Sequence, residues 1–195
     1  MLVELGKQLK PSCLMLLWLS VLTGLVYPLA VTALGAGVFP NKAMGSLIER
    51  QGGIVGSSLL GQPFTSDRYF HGRPSATAPY PYNAAASSGS NLAPSNPDLR
   101  QAVQERAQAL SMDNAGPSVP MDLVTTSASG LDPDISPEAA SYQVTRVAKA
   151  RGLPGQTVAD LVARHTEGRL WGFWGEPRVN VLRLNLELDA LTSTK

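Results

Sequence analysis

The chain has 195 residues, 44% apolar and only 16% charged, with 18 Gly and 15 Pro. That composition excludes a collagen-like or low-complexity disordered chain, and a net charge of +1 gives no electrostatic footprint for nucleic acid. One cysteine (Cys13) and two histidines (His71, His165) exclude an internal disulfide framework and a cysteine-based zinc site, and leave little for a multi-histidine metal site.

The apolar excess is concentrated near the start. No charge falls between Lys10 and Lys42, and Leu14 to Val38 is a run of 25 residues. About 20 apolar residues suffice to cross a bilayer core. Backbone groups in lipid must pair within the segment, so the span must be helical. The reading is a transmembrane helix over residues 12–38, a cytoplasmic tail over 1–11 and one extracytoplasmic domain over 41–195. Pro28 should free a carbonyl and kink the helix, while Pro11 and Pro40 suit its ends. A cleaved secretory signal is the alternative, since Lys7 and Lys10 precede the run and Ala33-Leu34-Gly35 is a passable cleavage site. The apolar core of such a signal is only ~7–15 residues long, which favours a retained anchor. Long domains translocate largely regardless of flanking charge, so the N-terminus is expected inside and the domain outside. Gly24 and Gly35, with Tyr27 and Pro28, mark the expected packing face of the span, because small residues permit close helix approach.

Residues 41–195 carry fourteen basic and fourteen acidic side chains. Mean charge therefore does not steer this part to lipid headgroups or polyanions. Ser46-Leu47-Ile48 and Ile54-Val55 flank Arg50-Gln51-Gly52-Gly53, which reads as a hairpin, with Ser57 to Leu60 continuing the second strand. Gly61 to Pro94 has no periodic apolar run. Loops of this length are functional or disordered, and Tyr69, Tyr80 and Tyr82 argue against disorder.

Three helices are predicted next. Ser95-Asn96-Pro97-Asp98 matches a Ser-x-x-Asp start, with Leu99, Val103 and Leu110 at helical spacing. Ser136-Pro137-Glu138 starts a second helix that runs to about Arg151 and stops at Gly152. A third follows Pro154, with Val158, Leu161 and Val162 apolar, and ends near Gly168. Val179 to Leu188 alternates, which reads as a half-buried strand. The sum is an α+β domain, a small sheet with about three packed helices.

Tyr69-Phe70-His71-Gly72-Arg73-Pro74-Ser75 is the densest polar-aromatic cluster. His71 could serve as a base and Arg73 as an oxyanion or phosphate clamp. Against this, the rings would pin the loop to the core and Arg73 would bind carbonyls. A structural or partner-contact role is the stronger reading, with Tyr69, Phe70, His71, Arg73 and Tyr82 as the contact residues. A Gly-x-Ser-x-Gly elbow is absent. Asp132-Pro133-Asp134 reads better as a turn than as a calcium loop. Ser127-Ala128-Ser129-Gly130-Leu131-Asp132 is small enough to approach a phosphate, with Ser127, Ser129, Gly130 and Asp132 as the groups concerned. It lacks the lysine and second glycine of a phosphate-binding loop, and the expected topology puts it outside the cell. One helix cannot enclose a pore. An anchored accessory subunit of a membrane complex is the first reading, and a cell-envelope enzyme or binding module acting alone is the alternative.

Several blocks carry a resemblance: Gly24 to Leu29, Gly45 to Ile48, Gly56 to Phe64, Tyr69 to Thr77, Tyr82-Asn83, Ser90 to Leu92, Ser127 to Asp132, Arg146 to Arg151 and the closing Val179 to Asp189. Together they resemble the C subunit of the Kdp-type potassium-transporting P-type ATPase (KdpC). The resemblance implies a single-span inner-membrane subunit that assembles with a channel-like A subunit, an ATP-hydrolysing B subunit and a small F subunit. It implies no catalytic or metal-binding residue of its own. It also implies roles in assembly and as a catalytic chaperone that raises the ATP affinity of the B subunit. ATP would then act through the B subunit, although the Ser127 to Asp132 loop has been likened to a nucleotide-contacting signature. The outer domain is expected to dock through the Gly61 to Pro94 loop.

Overall fold

The computed structural model describes residues 2–50, 52–113 and 118–193. The chain divides into two units, Met1–Leu47 and Ile48–Lys195.

The first unit is dominated by one long helical run. It consists of α1 (Leu2–Val21), a π-helical turn (Leu22–Val26) and α2 (Tyr27–Val38), followed by a short α3 (Pro40–Ala43). Gly6–Val38 is long and apolar enough to cross a membrane, and none of its most apolar stretch is buried within the chain. Pro11 lies inside α1 rather than at its end, so the helix begins well before residue 12. The expected disturbance at Pro28 takes the form of the π turn. Pro28 has no N–H and its ring would meet the carbonyl four residues back, that of Gly24. The wider turn, in which the Tyr27 N–H bonds Leu22 O, displaces that carbonyl.

The predicted hairpin, β1 (Leu47–Arg50) paired with β2 (Gly53–Ser57), starts at the last residue of the first unit and otherwise belongs to the second. Gln51 of its turn lies outside the described residues. The second strand stops at Ser57 instead of reaching Leu60, where a turn forms. No helix or strand occurs between residues 61 and 94, as expected.

Helix α4 (Pro97–Asp113) and a single turn α5 (Met121–Val124) come next. The cap of α4 is Asn96 rather than Ser95, since Asn96 Oδ1 accepts the Asp98 N–H at 2.8 Å. Strand β3 (Asp134–Ile135) leads into α6 (Pro137–Arg151). Ser136 Oγ accepts from the Ala139 N–H, and Gly152 closes the helix in the left-handed conformation at φ 64°. Both ends match the predicted start and stop. Helix α7 (Gly155–Arg164) buries Val158, Leu161 and Val162 but ends at Arg164, because Thr166–Glu167 forms strand β4. Strand β5 (Arg178–Asn180) completes an antiparallel sheet in the order β3-β5-β4, with Ile135 and Thr166 both opposite Val179.

The segment expected to be a strand from Val179 to Leu188 is the main correction. Only Arg178–Asn180 is extended, and Val181–Ser193 is helix α8. Leucines at 182, 184, 186 and 188 imitate a two-residue period. The structure instead buries Val181, Leu182, Leu184, Asn185 and Leu188, which puts Asn185 on the same side of the helix as its apolar neighbours, and leaves Arg183 and Glu187 in water. Leucine, arginine and glutamate are strong helix formers, and no β-branched residue follows Val181 until Thr192. Asn180 marks the change, its Oδ1 accepting the Arg183 N–H as a cap does.

The core lies where α6, α7 and α8 meet the sheet. Ile135, Val147, Val158, Leu161, Val179, Leu184 and Leu188 are buried there, and Phe70 joins them from the long loop. Each such side chain contributes roughly 1.5–3 kcal/mol by leaving water.

Candidate functional site

The long loop is ordered by side chains that reach out from the helices. Asn185 of α8 grips the Phe70 backbone at both its N–H and its C=O. Its Oδ1 accepts the Phe70 N–H at 2.9 Å and its Nδ2 donates to Phe70 O at 2.9 Å. Gln143 of α6 does the same to His71: Oε1 accepts the His71 N–H at 2.8 Å, and Nε2 donates to His71 O at 3.1 Å. Asn185 and Gln143 are buried, which buried amides tolerate only with partners. Two carboxamides thus act as adjoining strands for two successive loop residues.

Around this clasp the loop is tied down by charge. Arg151 lies over the Tyr69 ring at 4.8 Å and pairs with Asp189 at 2.8 Å, while the Tyr69 hydroxyl donates to Asp189 Oδ2 at 3.2 Å. Arg146 donates to Asp67 O and Tyr69 O. His71 Nε2 is 3.1 Å from Ser66 O. Arg73 Nη1 donates to Asp132 Oδ2 at 3.2 Å, and Nη2 donates to Thr126 O at 3.3 Å. The Tyr82 hydroxyl donates to Arg73 O at 2.6 Å. Burial, with the Asp132 carboxylate adding and Arg73 opposing, pushes the Tyr82 phenol up to about 12.

The contact residues expected from sequence are therefore gathered in one region, but their main groups face inward. Phe70 is 0% exposed and is a core residue rather than a contact. An aromatic ring flanked by helix-borne amides is drawn into the domain by its own hydrophobicity.

The Ser127 to Asp132 loop is stitched to the same long loop. Ser127 Oγ accepts the Gly130 N–H at 2.9 Å and Ser129 Oγ accepts the Leu131 N–H at 3.1 Å. Ser75 Oγ donates to Gly130 O at 2.7 Å, and Ser129 O accepts from the Ser88 N–H at 3.0 Å. Phosphate cradles need backbone N–H groups aimed at the ligand, and here those of Gly130 and Leu131 serve the loop. Gly130 sits at φ +68°, where a Cβ would come within 2.6 Å of Thr77 Cγ2 and 2.7 Å of Ser88 O.

Beside it, Arg73, Asp132, Asp134, Glu138, Glu176 and Arg178 line an open cleft of about 500 Å³. Burial raises the Asp134 carboxyl above the usual carboxylate range, although a bond from Asn180 and the charge of Arg178 oppose it. No group of three or more His, Cys, Asp or Glu suited to a metal occurs among the described residues. Gly24, Tyr27, Pro28 and Gly35 lie along the exposed apolar run, far in sequence from this region.

Sequence reasoning missed the two amides. Asn185 becomes visible only when the tail is read as a helix, for then it shares a face with Val181, Leu184 and Leu188. It also missed Leu170-Trp171-Gly172-Phe173-Trp174, between β4 and β5. Three of the chain's aromatics fall in four residues there, and all three are exposed.

The fold defines a small α+β domain behind one apolar helix of membrane-spanning length. A family model described as KdpC, the c chain of a K+-transporting ATPase, matches residues 9–190. The potassium-transporting ATPase KdpC subunit of Rhodopseudomonas palustris (strain BisB18) is 57% identical over 195 residues, covering 94% of this chain and 98% of that protein. That of Methylococcus capsulatus (strain Bath) is 60% identical over 184 residues, covering 93% and 97%. That of Variovorax paradoxus (strain S110) is 57% identical over 189 residues, covering 96% and 98%. The chain belongs to the KdpC family.

Proposed function

We propose that this chain is a non-catalytic accessory subunit of an ATP-driven potassium uptake complex, held in the bacterial inner membrane by Gly6–Val38 with its domain outside. The observation that carries this is the pairing of an unburied apolar helix with a domain whose candidate chemical groups bond one another. Its partners are the A, B and F subunits, and its work is assembly and stabilisation. Any rise in the ATP affinity of the B subunit acts through subunit contacts, without a nucleotide bound at Ser127, Ser129, Gly130 or Asp132. The internal bonding of that loop supports this reading.

The test is to purify the complex from cells with and without this chain. Recovery of the assembled A, B and F subunits should fall without it, and the ATP concentration for half-maximal hydrolysis should rise. A photoreactive ATP analogue should label the B subunit and not this chain. If the chain leaves solubilised membranes alone, with the other subunits assembled normally, the proposal is wrong.

A further inference from the structure

The connection from β4 to β5 forms a narrow finger. Leu170 and Trp174 exchange backbone hydrogen bonds at 2.9 Å in both directions, which closes the finger just below its tip. Trp171 turns the chain at φ +54°, followed by Gly172 at φ +83°. A bulky side chain is rarely held at positive φ, and strain of this kind gathers at functional positions. The result is that Trp171, Phe173, Trp174 and Leu170 are 79%, 69%, 67% and 59% exposed. Trp171 and Phe173 lie 6.3 Å apart, centroid to centroid. At the neck, Arg169 and Glu176 pair at 2.7 Å, leaving six uncharged residues between them.

We propose that this finger inserts into the interface of the bilayer that the chain itself spans, as a second and reversible membrane contact. This rests on the membrane-anchored reading above. Tryptophan favours the level of lipid headgroups, where a ring and its N–H find apolar and polar surroundings together. Neither indole N–H has a hydrogen-bond partner among the described residues. Three aromatics offer about 150–250 Å² each, short of the ~800 Å² per side of a stable protein interface. A lipid surface demands no such area and no shape match. The domain is also confined: nine residues lie between Val38 and Ile48, a reach of at most ~35 Å. The bilayer is therefore at high local concentration, and weak apolar insertion suffices although the domain's charges balance.

The chain's three tryptophans separate the two claims, since Trp18 is in the span and Trp171 and Trp174 are in the finger. The full chain is reconstituted in phosphatidylcholine vesicles with plain or brominated acyl chains. The Trp18→Phe protein reports the finger alone, and the Trp171→Phe/Trp174→Phe protein reports the span alone. Bromine should quench both, the finger because its inserted rings sit at the headgroup/acyl boundary. Leu170→Ser with Phe173→Ser, added to Trp18→Phe, should restore emission while circular dichroism is unchanged. Quenching of Trp18 with unquenched finger tryptophans overturns the proposal and keeps the anchor. An unquenched Trp18 overturns the anchored reading instead.

Discussion

Replacing Asn185 by alanine tests how the long loop is held. Asn185 is 1% exposed and partners both the N–H and the C=O of Phe70. Its truncation leaves one N–H and one C=O without protein partners beside a fully buried ring. Each unsatisfied buried group costs about 1–3 kcal/mol. Some of that is recovered by relaxation or an entering water, so about 2–4 kcal/mol is expected, a large share of the ~5–15 kcal/mol that stabilises a domain. The midpoint of thermal unfolding should fall by roughly 5–15 °C for a domain of this size. Near-ultraviolet circular dichroism of the full chain in detergent reads this out, because the tyrosines of the loop lose their fixed surroundings. Arg183→Ala, on the exposed face of the same helix, should stay within about 0.5 kcal/mol. The pair also decides between helix and strand for this tail. In a strand, Asn185 would share a face with the exposed Arg183 and Glu187, and both substitutions would be mild. Equal midpoints for the two variants would refute the clasp and the helical reading behind it.

Gly130→Ala should cost about 1–3 kcal/mol, from a positive φ and a Cβ pressed against Thr77 and Ser88. Gly152→Ala, also at positive φ but facing open space, should cost only about 1 kcal/mol; urea midpoints compare the two. In a spectrophotometric titration, one tyrosine should ionise near pH 12, and Tyr82→Phe should remove that step. Because the folded value lies above the ordinary one, the stability tied to Tyr82 is complete below pH ~10 and is lost as pH climbs through about 12. Asp134 is raised too, so its contribution is present at acid pH and lost as pH rises through its folded value. Asp134→Asn should therefore gain on the wild type from acid toward neutral pH, and parallel melting curves across that range would contradict it.

Much of the fold was legible because local signals agreed with the tertiary outcome. Ser136, Pro137 and Gly152 delimit α6 by chemistry that needs no neighbour, and Val158, Leu161 and Val162 share one face of α7. The tail was misread because alternate leucines satisfy two periods at once. Only burial against residues outside the segment, Phe70 among them, selects the helical one. The clasps were illegible for a related reason. Asn185 and Gln143 bond residues 115 and 72 positions away, and nothing in the sequence says which loop peptide a buried amide will hold. The exposed finger was legible in principle from Trp171-Gly172-Phe173-Trp174, but a dense aromatic run looks the same whether it enters a core or leaves one.

The inward turn of the loop limits which substitutions can test whether it docks. Releasing the subunit by Phe70→Ala would prove nothing about contact, since removing a fully buried ring costs about 3–5 kcal/mol and disturbs the whole domain. Tyr69 and Arg73 carry the same difficulty in milder form, because each is bonded to a side chain of its own domain. Tyr80 is different: it is 58% exposed, between Pro79 and Pro81, and its backbone carbonyl is held by Thr77 Oγ1. A ring presented on an ordered peptide loses little entropy on docking, which is what an anchor residue requires. Tyr80→Ala should leave the unfolding midpoint within about 0.5 kcal/mol of the wild type and still weaken co-purification with the other subunits if the loop is the docking face. Unchanged co-purification would move the interface off this loop.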